Sequence, residues 1–167
     1  MGVNRRIFKK HLTKLVMRPR QPNKKVRALG LDLGTKRIGV AVSDSEGLLA
    51  TPIEVIFRQK DARQDYLAVV ELVKEWEVNV VVVGMPYSLD GQEGPMAQKT
   101  LEEVKSLSDI LPVPVVTYDE RLTTVTAERS LREQGVSSKE GRKVIDQLAA
   151  AVLLQAWLDK QQTLEDR

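Results

Sequence analysis

The run Val78-Asn79-Val80-Val81-Val82-Val83-Gly84 constrains this chain more than any other stretch. Branching at Cβ suits the pleated, extended backbone, so the run reads as a strand. Its apolar residues do not alternate with polar ones. Such a strand is buried on both sides, as the central strand of a sheet with helices packed over it.

The flanking patterns differ upstream and downstream. Upstream, Val26–Asp32, Arg37–Ser43 and Leu48–Phe57 read as strands joined by turns at Gly34-Thr35-Lys36 and Asp44-Ser45-Glu46-Gly47, an antiparallel meander. Pro52 lacks an N–H and puts the third strand at an edge. Downstream, helices and strands alternate. Tyr66, Val69, Val70 and Val73 give Asp61–Glu75 a helical spacing, and Met85–Gly94 is a loop. Pro95 opens a helix to Asp109, and Val113–Glu120 is a strand. Thr124–Gln134 reads as a helix closed by Gly135. Ser137-x-x-Glu140 is a capping box that opens a final helix to about Lys160. The order β-β-β-α-β-α-β-α-α implies an α/β fold, a mixed sheet covered by helices. Sites in such folds form at the C-terminal ends of strands.

Composition removes several classes of function. The 167 residues fit one domain and a tail. With no Cys there are no disulfides, thiolate metal sites or Cys nucleophiles, which suits a cytoplasmic protein. The only His, His11, lies outside the domain, so neither a Ser-His-Asp triad nor a His-rich zinc site can form within it. No run approaches the ~20 apolar residues of a membrane span. Residues 1–25 hold nine Lys/Arg and no Asp/Glu, while residues 26–167 hold 17 Lys/Arg against 23 Asp/Glu and carry −6. The net +3 therefore belongs to the extension. That extension reads as a solvated tail, as an arm on phosphate backbone or as a targeting segment. The boundaries are a basic extension at 1–25, a domain at 26–160 and a short tail at 161–167.

Three acidic residues stand in unlike settings. Asp32 ends a strand whose face also carries Ala28 and Gly30, and it equally suits a cap on the following turn. Asp119-Glu120 ends another strand. Alternation puts Glu120 with Val116 and Tyr118 and Asp119 with Val115 and Thr117, without deciding which faces a site, and a strand end or helix cap would explain the pair too. Asp146 sits in K-V-I-D-Q-L-A-A-A-V-L-L-Q, with Ala149, Ala150 and Leu153 at i+3, i+4 and i+7. A boundary position above the core would also account for it. Converging carboxylates repel, and a hard divalent cation with oxygen ligands removes the repulsion. Lys36, Arg37, Arg121, Lys139, Arg142 and Lys143 lie near these acids in sequence, to hold phosphates or to neutralise carboxylates. Aromatic residues are only 4%, which argues against a stacking platform for single strands.

The stretches G-L-D-L-G-T-K-R-I-G-V-A, V-V-V-G-M-P-x-x-x-D-G, D-E-R-L-T-T and D-Q-L-A-A-A-V-L-L-Q occur in this order over residues 26–160. The chain resembles the YqgF/RuvX family on these four motifs. The resemblance implies an RNase H-like mixed five-stranded sheet, a three-strand meander plus parallel strands, flanked by helices. It implies a metal-dependent nuclease (hydrolase) with Asp32, Glu120 and Asp146 as catalytic residues and ligands of two Mg²⁺ or Mn²⁺ ions. Lys36, Arg37, Arg121, Arg142 and Lys143 are then candidates for substrate binding. Nucleic acid is the implied partner, with processing of the 5′ end of the 16S rRNA precursor in ribosome biogenesis favoured. The alternatives are a Holliday junction resolvase, which would be a homodimer matching a two-fold substrate, and a non-catalytic binding module. An actin-like or sugar-kinase-type ATP site also reads G-x-D-x-G-T, but that architecture needs two such domains.

Overall fold

The computed structural model describes residues 26–88, 90–123 and 139–165, without the side chains of Leu122, 139–146 and Glu165. The basic extension, the helix expected at Thr124–Gln134 with its Gly135 stop, and the Ser137 cap lie outside these residues. The elements are β1 (Ala28–Leu33), β2 (Arg37–Ser43), β3 (Ala50–Phe57), α1 (Ala62–Glu75), β4 (Val80–Met85), α2 (Pro95–Ile110), β5 (Val115–Asp119), a 3₁₀ turn (Glu120–Leu122) and α3 (Lys139–Glu165).

The sheet runs β3-β2-β1-β4-β5. β2 is antiparallel to β1 and to β3, whereas β4 is parallel to β1 and β5 to β4. The expected mixed sheet is therefore present. β3 takes an edge, where Pro52 leaves no ladder bond unmade on an inner strand. β4 is buried along its whole length, as its valines require. Local signals start the helices: the Asp61 side chain accepts from Arg63 N at 3.0 Å, and Pro95 opens α2.

Strand alternation splits the core in two. Leu29, Leu31 and Leu33 of β1 pack with Val69, Leu72 and Val73 of α1 and Leu107 of α2. On the other face Ala28, Ala41, Val80 and Val82 meet Ala150, Leu154, Trp157 and Leu158 of α3. The approach there is close: a Cβ built on Gly30 would lie 2.8 Å from Leu154 Cβ and 3.1 Å from the Ala150 carbonyl oxygen.

α3 runs antiparallel to β1. Ala150 lies over Gly30, whereas further along the helix Gln155 bridges Ala50 N and Leu48 O at 2.9 Å each. Gln162 Nε2 reaches Gly47 O at 3.5 Å, near the start of β1. These contacts carry the helix to Glu165, past the expected end at Lys160. The first turns of α3 thus lie toward the C-terminal end of β1. Among the described residues no helix is long and apolar enough to cross a membrane.

Candidate active site

The parallel strands β1, β4 and β5 end at one edge of the sheet. Leu31 pairs with Val83, so Asp32 stands beside Gly84, and Gly84 pairs in turn with Tyr118. By alternation Asp32 shares the α3 face with Ala28 and Gly30. Glu120 follows β5 at the start of the 3₁₀ turn, and its side chain folds back across Gly84. A Cβ on Gly84 would collide with Oε1 and lie 2.8 Å from Cγ and 3.0 Å from Cδ. Glycine is what allows the carboxyl of a neighbouring strand to lie on this backbone.

Glu120 and Asp32 share a hydrogen bond between their carboxyl groups. Burial, and next the Asp32 carboxylate, push the Glu120 carboxyl up to about 7. Two carboxylates in contact cannot both be ionised at little cost, so below about pH 7 a proton is held at Glu120.

Alternation in the sequence leaves Asp119 and Glu120 undecided, and the structure separates them. Asp119 turns to Arg121, accepting from its backbone N at 3.0 Å and from Nε at 3.0 Å. The hydrogen bond from Arg121 holds the Asp119 carboxyl below the usual range. Arg121 is itself engaged: it stacks over Tyr87 at 5.8 Å from the ring centroid, and a Cβ on Gly91 would lie 3.1 Å from its Nη1. Gly91 also has φ +83°, a conformation that favours glycine. Arg121 thus clasps the β4–α2 loop onto the end of β5.

Asp146 lies one helical turn before Ala150, so its backbone position is on the β1-facing stripe of α3, toward Asp32. The side chains of Asp146, Arg142 and Lys143 are outside the described residues. Lys36 is exposed in the turn after Asp32, and Arg37 is half-buried in β2, opposite Phe57. Among the described residues no group of three His, Cys, Asp or Glu side chains converges. The structure thus unites Asp32 and Glu120. It also adds Gly84, whose signal in the sequence is a glycine closing a valine run one strand away from an acid.

The Asp32–Glu120 pair fits a hard divalent cation. Its donors are all oxygen, it is partly withdrawn from water, and its shared proton marks a repulsion that a cation would relieve.

Comparison with known proteins agrees with this fold. The family described as "RuvX: Holliday junction resolvase" matches residues 26–160. A protein of Mycobacterium sp. (strain KMS) named "Putative pre-16S rRNA nuclease" is 47% identical over 135 residues, 80% of this chain and 80% of its own length. A protein of the same name from Mycobacterium ulcerans (strain Agy99) is 48% identical over 139 residues, 83% of this chain and 81% of its own. Among solved structures, T. thermophilus RuvC in complex with Holliday junction substrate covers 82% of this chain and 96% of its own, at TM-score 0.52 and 19% identity. That likeness shows a shared RNase H-like fold.

Proposed function

The chain belongs to the RuvX family, and on that footing we propose that it is a metal-dependent nuclease of structured nucleic acid, acting at the 5′ end of the 16S rRNA precursor. The observation that carries this reading is the Glu120 carboxyl folded over Gly84 onto Asp32 at the C-terminal ends of parallel strands. The names of the mycobacterial relatives favour precursor rRNA.

Asp32 and Glu120, with Asp146 from α3, would hold two Mg²⁺ or Mn²⁺ ions. Bound there, such ions lower the pKa of a water and stabilise charge on the scissile phosphate. The chain's own residues set the conditions. Glu120 gives up its proton for the site to bind a cation, so binding strengthens as pH rises through about 7. Lys36 presents an ammonium group beside the Asp32 turn, where a phosphate of the substrate would lie. Arg121 holds the neighbouring loop. The basic extension lends the charge that residues 26–167, at −6, lack, and the setting of the reaction is the cytoplasm.

The family description favours a second reading, resolution of four-way DNA junctions by a two-fold homodimer. One experiment separates the two. The protein and Asp146→Asn are incubated with precursor 16S rRNA and with a four-way junction, in Mg²⁺ or Mn²⁺. The expected result is cleavage at the 5′ end of the RNA, reduced by more than about 100-fold in Asp146→Asn, the upper range for residues that merely support a metal ligand. Paired, symmetric cuts in the junction with intact RNA would establish the second reading. Binding without cleavage of either would make the domain a non-catalytic module.

A further inference from the structure

Behind the carboxylate pair, on the α1–α2 side of the sheet, lies a buried charged cluster that the proposed chemistry does not use. Arg58 follows β3. Its Nη1 and Nη2 donate to Glu103 Oε2 and Oε1 on α2 at 2.7 and 3.1 Å. Nη1 also lies 3.6 Å from Asp65 Oδ2 on α1, and Asp65 Oδ1 accepts from Gln59 N at 2.9 Å. The Tyr66 hydroxyl donates to Glu103 Oε2 at 3.2 Å. Two carboxylates thus share one guanidinium, with the Asp65 side chain only 1% exposed.

The remaining donors of Arg58 point at the site. Its Nε donates to Gly34 O at 3.0 Å and its backbone N to Lys36 O at 3.0 Å. These carbonyls belong to the turn that follows Asp32, and Gly34 N donates to Asp32 O at 3.1 Å. A continuous path of hydrogen bonds therefore leads from the backbone of Asp32 through Gly34 and Arg58 into α1 and α2.

We propose that Arg58 is a positioning residue for Asp32: by holding the Gly34–Lys36 turn from the opposite face, it sets how the Asp32 carboxyl meets Glu120. This role rests on the nuclease reading. Stability alone accounts poorly for the cluster, because apolar residues of similar volume often serve as well as a buried ion network. A planar guanidinium offers what they cannot. Its rigid fork engages Glu103 with two nitrogens while the third is aimed at Gly34 O. A lysine would keep the charge, one contact to Glu103 and the backbone bond to Lys36 O, but lose the side-chain bond to Gly34 O.

The test compares full-length wild type, Arg58→Lys and Glu103→Gln. Mn²⁺ affinity is measured by calorimetry without nucleic acid, cleavage by kcat and KM on precursor rRNA and the four-way junction, and folding by thermal melts. Arg58→Lys is expected to bind Mn²⁺ about tenfold more weakly and to lose about tenfold in kcat with KM little changed, as for groups that orient metal ligands. Glu103→Gln keeps Arg58 and should fall between the two, and it decides the matter if Arg58→Lys does not fold. Wild-type Mn²⁺ affinity and kcat in the folded variants, whatever their melting temperatures, would overturn the proposal. A wild type that binds Mn²⁺ but cleaves nothing would sink the nuclease reading while the affinity comparison still judges Arg58. A wild type that does neither would remove both.

Discussion

The two faces of the sheet are built from alternate residues of the same strands and serve different ends. On the α1–α2 face β1 contributes Leu29, Leu31 and Leu33, large side chains that interlock with valines and leucines. On the α3 face it contributes Ala28, Gly30 and Asp32, and β4 contributes Gly84. Small residues let α3 approach the sheet, and at the strand ends they leave room for carboxyl groups in place of methyls. One face supplies most of the apolar burial and encloses the Arg58 cluster, and the other brings the Asp32 and Glu120 carboxyl groups together. Along β1 and β4, apolar burial and the site therefore segregate by strand parity, and a substitution one residue along either strand should change a different property.

The contrast is sharpest between Leu31→Ala and Gly84→Ala. Leu31 is fully buried, and truncating it should cost about 2–5 kcal/mol of stability while leaving kcat of the folded protein near wild type. Gly84→Ala should do the reverse. Its new Cβ collides only with the flexible Glu120 side chain, so the carboxyl is displaced and the fold yields little. Loss of activity of about 100-fold with a melting temperature within a few degrees of wild type is expected, a scale typical of misplaced metal ligands and their supports. Equal loss of stability in both variants would break the division between the faces.

The next effect is on pH and metal. Without metal, Glu120 has its pKa raised from the ordinary 4.5 to about 7, so the folded state holds the proton more tightly than the unfolded chain. Its contribution to stability is fully present below pH 4.5 and is lost as pH rises to about 7. The ceiling on that loss is roughly 3 kcal/mol. Melts in EDTA between pH 4.5 and 7.5 should show the decline, Glu120→Gln should flatten it, and Mg²⁺ should restore stability at the upper end by binding the native state alone. A wild-type curve parallel to that of Glu120→Gln would mean the carboxyl pair is not strained.

A smaller effect is expected where the helix meets the sheet. Gly30→Ala places a Cβ against Leu154 Cβ and the Ala150 backbone, neither of which can simply rotate away. Overpacking of this kind costs about 1–3 kcal/mol. Because α3 also carries Asp146, Mn²⁺ affinity should fall with stability, unlike in Leu31→Ala; calorimetry and melts on both variants test the difference. The smallest effect on chemistry belongs to the basic extension. Deleting residues 1–24 should weaken nucleic-acid binding and flatten its salt dependence, because fewer counterions are released, with kcat little changed. An unchanged salt slope would return the extension to a solvated tail or a targeting segment.

Much of this was legible in the chain itself. Parity along Val26–Asp32 separated the leucines from Ala28, Gly30 and Asp32, because side chains alternate wherever backbone is extended. The valines of 80–83 announced a strand covered on both faces, Pro52 an edge, and Asp61 and Pro95 the helix starts. Those are local rules, and the sequence by itself determined them. What lay across from what was decided only by tertiary structure. The order β3-β2-β1-β4-β5 brings Gly84 between Asp32 and Glu120, residues far apart in the chain, and so selects Glu120 over Asp119. It spends Arg121 on Asp119 and a loop. It also buries Arg58, Asp65 and Glu103 together, three charges that look like ordinary surface residues along the chain. A carboxyl's proton affinity depends on the water it loses and the charges it meets, and non-local pairing sets both.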